Sequence, residues 1–352
     1  MAAVTPLRLS VLDQSPIPDG LTAVDALHNT LDLARLADQL GYFRYWVAEH
    51  HATPALACLS PEVLIGPIAQ STRRLRIGSG GIMLPHYSPL KVAENFSMLG
   101  SLFPGRIDLG IGRAAGTSPA VAFALQRDRR QAAPDDFPEQ LEELLGCFGA
   151  GQLADHTAHG LATAVRPATP PEIWLLGSSP QSAIWAAELG LPYCFADFIN
   201  PQGAVLTRQY ALAFTPSPAH PAAQPAVAAW VVCADTDEEA EELSLSARMM
   251  LSFLHRGRLI AVPTVNAARR FFEQDKSALP ILSAARRFIT GSPATVRQAI
   301  EDLAEEYGAQ EVLLVNILHD HQARRRSYEL VAREFELKAA GVMDEAPYAI
   351  TT

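Results

Sequence analysis

Cysteine, positive charge and long apolar runs are all scarce in this chain, and each shortage narrows what it can be. The four cysteines, Cys58, Cys147, Cys194 and Cys233, are far apart and form no C-x-x-C pair. Neither a zinc ribbon nor a disulfide framework is indicated, and a reducing cytoplasm is the expected compartment. No stretch approaches the ~18 apolar residues of a membrane span, and residues 1–15 lack the basic start, apolar middle and small-residue cleavage site of a signal peptide. A soluble intracellular protein is therefore expected. Lys and Arg number 28 against 38 Asp and Glu, a net charge of −10. That balance argues against a broad electrostatic grip on nucleic acid or an anionic membrane and leaves room for a local basic pocket facing a small molecule. No H-E-x-x-H is present, and no self-similarity suggests a solenoid.

What is present is a globular balance, 49% apolar and 19% charged over 352 residues, long enough for two average domains or one large α/β barrel. Short apolar runs of strand length recur at LRLSVL (7–12), YWVA (45–48), LRIGSGGIML (75–84), RIDLGIG (106–112), EIWLLG (172–177), PYCFA (192–196), AVAAWVVCA (226–234) and EVLLVNIL (311–318). Helical segments are expected between them, among them 22–40, 89–102, 139–148, 181–190, 236–254 and 293–307. Strand alternating with helix implies parallel strands and right-handed crossovers. Eight such units predict a (β/α)8 TIM barrel in one domain, 1–352. Uneven spacing requires inserted loops after strands 4 and 7, near 114–137, 150–170 and 255–290. The Pro- and Ala-rich stretch 215–226 reads as a loop before the seventh strand.

A barrel gathers its chemistry where strands run into the following loops. Here those ends read Asp13-Gln14-Ser15, Glu49-His50-His51, Gly80-Gly81 with His86 beyond, Gly112-Arg113, Gly177-Ser178-Ser179, Asp197, Asp235, and Asn316 with His319-Asp320-His321 beyond. The plain alternative is that any strand turns polar where it meets solvent. In SSPQS, Ser179 precedes Pro180 as an N-cap would, and Ser182 falls in the first turn. Such a helix start suits a phosphate, although capping alone would explain the serines. Arg113 on the neighbouring strand end adds a permanent cation and favours the phosphate. Gly80-Gly81 allows a bulge or close approach of a flat ligand, and equally a flexible turn. His50 and His51 are adjacent and so make a poor chelate; one imidazole as proton donor or acceptor, oriented by the carboxylate of Glu49, is more economical. A satisfied structural histidine is the bland counterpart.

The segments LSVLDQSPI (9–17), EHH (49–51), LRIGSGGIMLPHYSPLKVAE (75–94), PGRIDLGIGRAAG (104–116), FPEQLEEL (137–144), LLGSSPQSAIWAAELGLPY (175–193) and a Gly-Ser-Pro helix start (291–293), in this order, resemble the bacterial luciferase-like flavin-dependent monooxygenases. The resemblance implies an FMN-dependent monooxygenase on a (β/α)8 barrel. It would use reduced FMN, possibly supplied by a separate flavin reductase, and O2 to oxidise a small organic substrate. It also implies a homodimer. His50 matches the family's proton-handling position, with Glu49 beside it. Gly80 and Gly81 match a strand end, often with a non-prolyl cis peptide, that supports the isoalloxazine ring. Arg113 and Ser179, with Ser178 and Ser182, match the phosphate site. The loop after Arg113 reads AAGTSPA, where many members carry an acidic residue near Ser118, which leaves local contacts open. Three alternatives also stand: a non-flavin barrel enzyme acting on a phosphorylated substrate, a non-catalytic flavin-binding barrel, and a deazaflavin user.

Overall fold

The computed structural model describes residues 6–113, 118–126, 129–130, 136–149, 166–275 and 288–338. Its strands are β1 (Arg8–Asp13), β2 (Arg44–Val47), β3 (Arg76–Met83), β4 (Ile107–Gly112), β5 (Glu172–Gly177), β6 (Tyr193–Ala196), β7 (Pro225–Cys233), β8 (Ile289–Gly291) and β9 (Glu311–Val315). The sheet runs β6-β5-β4-β3-β2-β1-β9-β7, and β6 pairs back onto β7, which closes a cylinder of eight parallel strands. This is the (β/α)8 barrel that the alternating pattern predicts, with each of the eight expected runs supplying one barrel strand.

The helices are α1 (Ala23–Leu40), α2 (Pro61–Ser71), α3 (Pro89–Leu102), α4 (Pro119–Leu125), α5 (Phe137–Cys147), α6 (Pro180–Glu188), α7 (Ala204–Ala213), α8 (Asp237–His255), α9 (Val265–Gln274), α10 (Pro293–Tyr307) and α11 (His321–Glu334). Local chemistry sets several of their ends. Thr22 accepts from the Asp25 N–H at 3.2 Å while Asp25 accepts from the Thr22 N–H at 2.8 Å, a reciprocal cap for α1. Gly41, at φ 92°, closes the same helix in the left-handed region. Proline occupies the first turn of α2, α3, α6 and α10.

Two insertions interrupt the regular alternation. After β4 the chain forms α4 before α5, and after β7 it forms α8, α9 and β8 before α10; β8 pairs with the end of β7 outside the cylinder. Both interruptions fall where loops were expected after strands 4 and 7. Residues 114–117, 127–128, 131–135, 150–165 and 276–287 of those insertions lie outside the described residues.

Strand alternation divides the apolar residues into two bodies. Leu12, Trp46, Trp174, Cys194, Ala228 and Val315 point inward and fill the barrel, with Trp46 and Trp174 edge to face at 5.4 Å. Leu9, Val11, Tyr45, Val47, Leu109 and Leu314 point outward and meet the helices. At the end of the barrel where the strands begin, the buried Arg44 guanidinium donates to Glu311 at 2.7 Å, Asp108 at 2.8 Å and Glu172 at 3.0 Å. Burial disfavours its charge, but Glu311, Asp108 and Glu172 more than offset this and raise the Arg44 pKa. Indole and guanidinium also meet face on, Arg44 lying 4.5 Å from the Trp174 ring centre. This end is a structural floor beneath the cavity.

Candidate functional site

At the opposite end, where strands run into loops, a cavity of about 590 Å³ opens. Its lining includes His50, Gly80, Gly81, Arg113, Ser178, Ser179 and Ser182. Seven of the eight residues singled out in the sequence therefore share one space; Glu49 is not among the lining residues.

One wall is the strand–helix corner of β5 and α6. A Cβ on Gly177 would lie 2.2 Å from Ser182 Oγ, so glycine is what lets the first turn of α6 fold so close to its strand. Ser179 is the N-cap residue by conformation, yet its side chain makes no capping hydrogen bond. Ser182 Oγ is occupied within the protein, donating to the Ser179 carbonyl at 2.8 Å and pairing with Tyr193 OH at 2.9 Å. The helix thus begins with backbone donors that no serine side chain caps, at the positive end of its dipole. Arg113, exposed at the end of β4, places its guanidinium 5.7 Å from the ring centre of Trp185 of α6. Guanidinium and helix start therefore flank the same end of the cavity. The site can hold a phosphate there.

The floor is backbone and apolar side chain. The Gly80-Gly81 peptide is cis, and β3 shifts register against β4 between Gly80 and Ile82. A Cβ on Gly80 would come within 2.4 Å of Leu12 Cδ1, and one on Gly81 within 2.8 Å of the Gly110 carbonyl. Strand packing thus demands glycine at Gly81, where the clash is with backbone, while at Gly80 a side chain would have to displace Leu12; the pair leaves bare backbone along the cavity. Leu12, Trp46, Leu176, Cys194, Phe198 and Ala228 complete an apolar surface. It suits a flat ring.

His50 lies just beyond β2 and donates its backbone N–H to the Cys58 carbonyl at 3.0 Å. Its Nδ1 is buried without a hydrogen-bond partner. Burial, with the neighbouring His51 adding to it and the Ala48 carbonyl opposing it, lowers the imidazole pKa to about 4. The ring is neutral at pH 7 and so able both to donate and to accept a proton.

The carboxylate of Glu49 does not orient this ring. Fully buried, it pairs with His51 Nε2 at 2.7 Å and accepts the Met83 N–H at 2.9 Å. The strand has ended at Val47, and the two histidines part: His50 borders the cavity, while His51 packs edge to face on His86 at 5.9 Å. Sequence alone could not divide the pair, because alternation holds only inside a strand.

Several other polar strand ends turn out to tie the barrel to its helices. Asp13 accepts from Ser15 N, Thr30, Tyr45 and Arg324, all facing away from the cavity lining. Asp197 accepts from Tyr307 OH at 2.6 Å, Asn316 donates to the Val231 carbonyl at 2.8 Å, and Asp235 binds Arg326 at 2.7 Å. Asp320 caps α11 and His321 pairs with Asp32 at 2.8 Å. For these residues the plain reading of strand-end polarity applies. Gln14, named at the first strand end, does line the cavity, and Met83, Phe137, Trp185, Cys194 and Phe198 line it without having been singled out. The inward phase of each strand is the signal that would have found Cys194, and the helical repeat from Ser182 points toward Trp185.

Among the described residues no cluster of His, Cys, Asp and Glu could hold a metal ion, and no helix is long and apolar enough to cross a membrane.

A profile of the luciferase-like monooxygenases matches residues 7–311. The chain is 44% identical to the Bacillus subtilis protein YwcH, with 94% of this chain and 99% of that one covered. It is 36% identical to the N-acetyl-S-alkylcysteine monooxygenase of Bacillus subtilis, over 93% of this chain and 97% of the relative. Among solved structures, apo-MsnO8 superposes with a TM-score of 0.87 at 39% identity, covering 95% of this chain and 99% of the other. In fold alone, the chain is also similar to the oxygenating constituent of 3,6-diketocamphane monooxygenase from Pseudomonas putida in complex with FMN, at a TM-score of 0.68, 24% identity, and 94% and 98% coverage.

Proposed function

The chain belongs to the luciferase-like monooxygenases, and from that premise we propose that it is an FMN-dependent monooxygenase that uses reduced FMN and O2 to oxidise a small organic substrate. One observation carries this reading: a cation and an uncapped helix start border the same cavity as a bare glycine backbone and a neutral histidine.

The residues fit the group. Arg113 and the first turn of α6, with Ser178 and Ser179, would hold the phosphate, charge-assisted hydrogen bonds being the strong ones. Ser182 would contribute mainly through its backbone, since its hydroxyl is already paired. The backbone of Gly80 and Gly81, with Leu12 and Trp46 behind it, would support the ring. When bound and reduced, FMN supplies the electrons and the oxygen chemistry.

The protein's own contribution is position, exclusion of water and one proton. Apolar side chains from β1, β2, β5 and β6 give the cavity a largely apolar lining that disfavours water next to a bound ring. His50 borders the cavity and would hold or release a proton on its imidazole there. Its lowered pKa keeps the ring uncharged at pH 7 and thus able to act in either direction. A small, largely apolar substrate suits this lining, and similarity to a monooxygenase named for N-acetyl-S-alkylcysteine puts thioethers first in a substrate panel. We take the enzyme to be a homodimer that receives reduced flavin from a separate reductase, as the resemblance implies.

The test is anaerobic titration with reduced FMN and with a reduced deazaflavin, followed by oxygen consumption across a substrate panel. Tight binding of reduced FMN and substrate-dependent oxygen uptake are expected. Binding without any uptake supports a flavin-binding barrel that lacks catalysis. Preference for the deazaflavin, or binding of neither, contradicts the proposal.

A further inference from the structure

Behind the cavity wall, outside its lining, lies a buried polar group that the proposed chemistry does not use. Glu49, fully buried, bonds in two directions: Oε1 to His51 Nε2 at 2.7 Å, and Oε2 to the N–H of Met83 at 2.9 Å. Met83 ends β3, two residues past Gly81, and itself lines the cavity. His51 is one residue past His50. The carboxylate therefore joins the chain leaving β2 to the end of β3 that carries the glycine floor.

The joined turn is itself strained. Ala52 stands at φ 48° without being glycine, a left-handed conformation that residues with a side chain rarely adopt. Such residues persist where surrounding bonds over-determine them. Those bonds are visible here: His50 N–H to the Cys58 carbonyl at 3.0 Å, Ala57 N–H to the Ser15 carbonyl at 2.8 Å, and the Glu49–His51 pair.

The remaining groups around Glu49 make its burial costly. Glu62, in the first turn of α2, has Oε2 buried without a partner. Burial and the proximity of Glu49 raise its pKa, against its own backbone hydrogen bond and the opposing pull of His51. Tyr87 is raised by burial and by Glu49 and Glu62, and Cys58 by burial, Asp13 and these same carboxyls, with a Ser60 backbone bond opposing. His86 packs on His51. Tyr87 also hydrogen-bonds to Glu49, so the carboxylate is the common acceptor for the Met83 N–H, the His51 ring and the Tyr87 hydroxyl.

We propose that Glu49 is a positioning residue: through His51 and the end of β3 it holds the turn that presents His50 to the cavity. It does not border the cavity, so it touches neither substrate nor cofactor. Any consequence for turnover rests on the monooxygenase reading above, whereas the placement of His50 does not.

The test follows the His50 imidazole in spectra of histidine-labelled protein, assigned against His50→Gln. In the intact protein the ring titrates near 4, because it is buried. Glu49→Ala releases the turn and lets water reach the ring, so its pKa should rise above about 5, toward the free value. Glu49→Gln keeps an acceptor for Met83 N–H and a donor for the His51 ring and should leave the titration below about 4.5. Unchanged titration in Glu49→Ala overturns the proposal, as does an equal rise in both variants. If Glu49→Ala does not fold, His51→Ala and His51→Gln are compared instead: both remove the charge that lowers the His50 pKa, but only Gln can still donate to Glu49, so the Ala variant should titrate higher, and equal titration of the two overturns the proposal as well. FMN titration of the wild-type protein keeps the two failures apart. Loss of FMN binding would sink the flavin reading and leave the His50 result standing.

Discussion

His50 should leave a measurable signature in stability long before any substrate is known. Its pKa is about 4 in the folded protein and about 6.5 when the chain is unfolded. Between those values the unfolded chain takes up a proton that the folded protein refuses, so stability falls as pH drops through 6.5 and stops falling from this cause below 4. Linkage gives a loss of about 2 kcal/mol by pH 5 and a limit near 3 kcal/mol, at 1.36 kcal/mol for each pH unit between the two pKa values. Other groups titrate over the same range, His220 and His321, lowered by burial, and Glu62, raised by burial, among them, so the quantity to measure is a difference. Urea denaturation of wild type and His50→Gln at pH 7.5 and pH 5.0 isolates it. The wild type should lose about 2 kcal/mol more than the variant between the two pH values. Equal losses would refute the claim that His50 is held neutral by burial, and with it the role given to that ring.

Three further outcomes follow from the same geometry. His50→Ala should leave FMN affinity within about 3-fold while lowering substrate-dependent oxygen consumption by roughly 10²-fold or more, as loss of a proton partner does; unchanged coupled oxidation removes His50 from the mechanism. Arg44→Met leaves Glu311 buried without its cation and Asp108 with Arg76 alone and should cost ~3–5 kcal/mol in chemical denaturation, whereas a loss under ~1 kcal/mol would mean that this end of the barrel is more hydrated than its burial indicates. Gly110→Ala puts a Cβ 2.1 Å from the Ser79 carbonyl, forcing β3 and β4 apart. Melting should report ~1–3 kcal/mol of destabilisation, and an undiminished melting temperature would contradict the packing that exposes the glycine backbone.

The barrel was legible because each of its strands is a short apolar run bounded by turn residues, and the helices between them are amphipathic or proline-started. The three-residue β8 was not, since Ile-Thr-Gly carries no periodicity and is a strand only because the end of β7 lies beside it. The meeting of Arg113 with the α6 start at one cavity was legible for a local reason: Ser-Pro marks a helix start, and Arg113 directly follows the neighbouring strand. The division of labour within Glu49-His50-His51 was not, because beyond Val47 side-chain direction depends on Met83, Cys58 and Ala52, contacts remote from or outside the motif. Asp13 and Asp197 looked like site residues because polarity at a strand end is the same letter whether it meets a ligand or Arg324 and Tyr307. The charged floor of Arg44, Asp108, Glu172 and Glu311 escaped notice because charges at strand starts read as solvated until the cylinder closes over them.

The proposal that Arg113 and the α6 start converge on one phosphate is most directly tested by titrating wild type and Arg113→Ala with reduced FMN and reduced riboflavin. A charge-assisted bond worth ~1.5–3 kcal/mol predicts that the variant loses roughly 10- to 100-fold in affinity for FMN and less than about 3-fold for riboflavin. Equal losses for the two ligands, or no loss for either, would contradict the phosphate site and the flavin enzyme built around it.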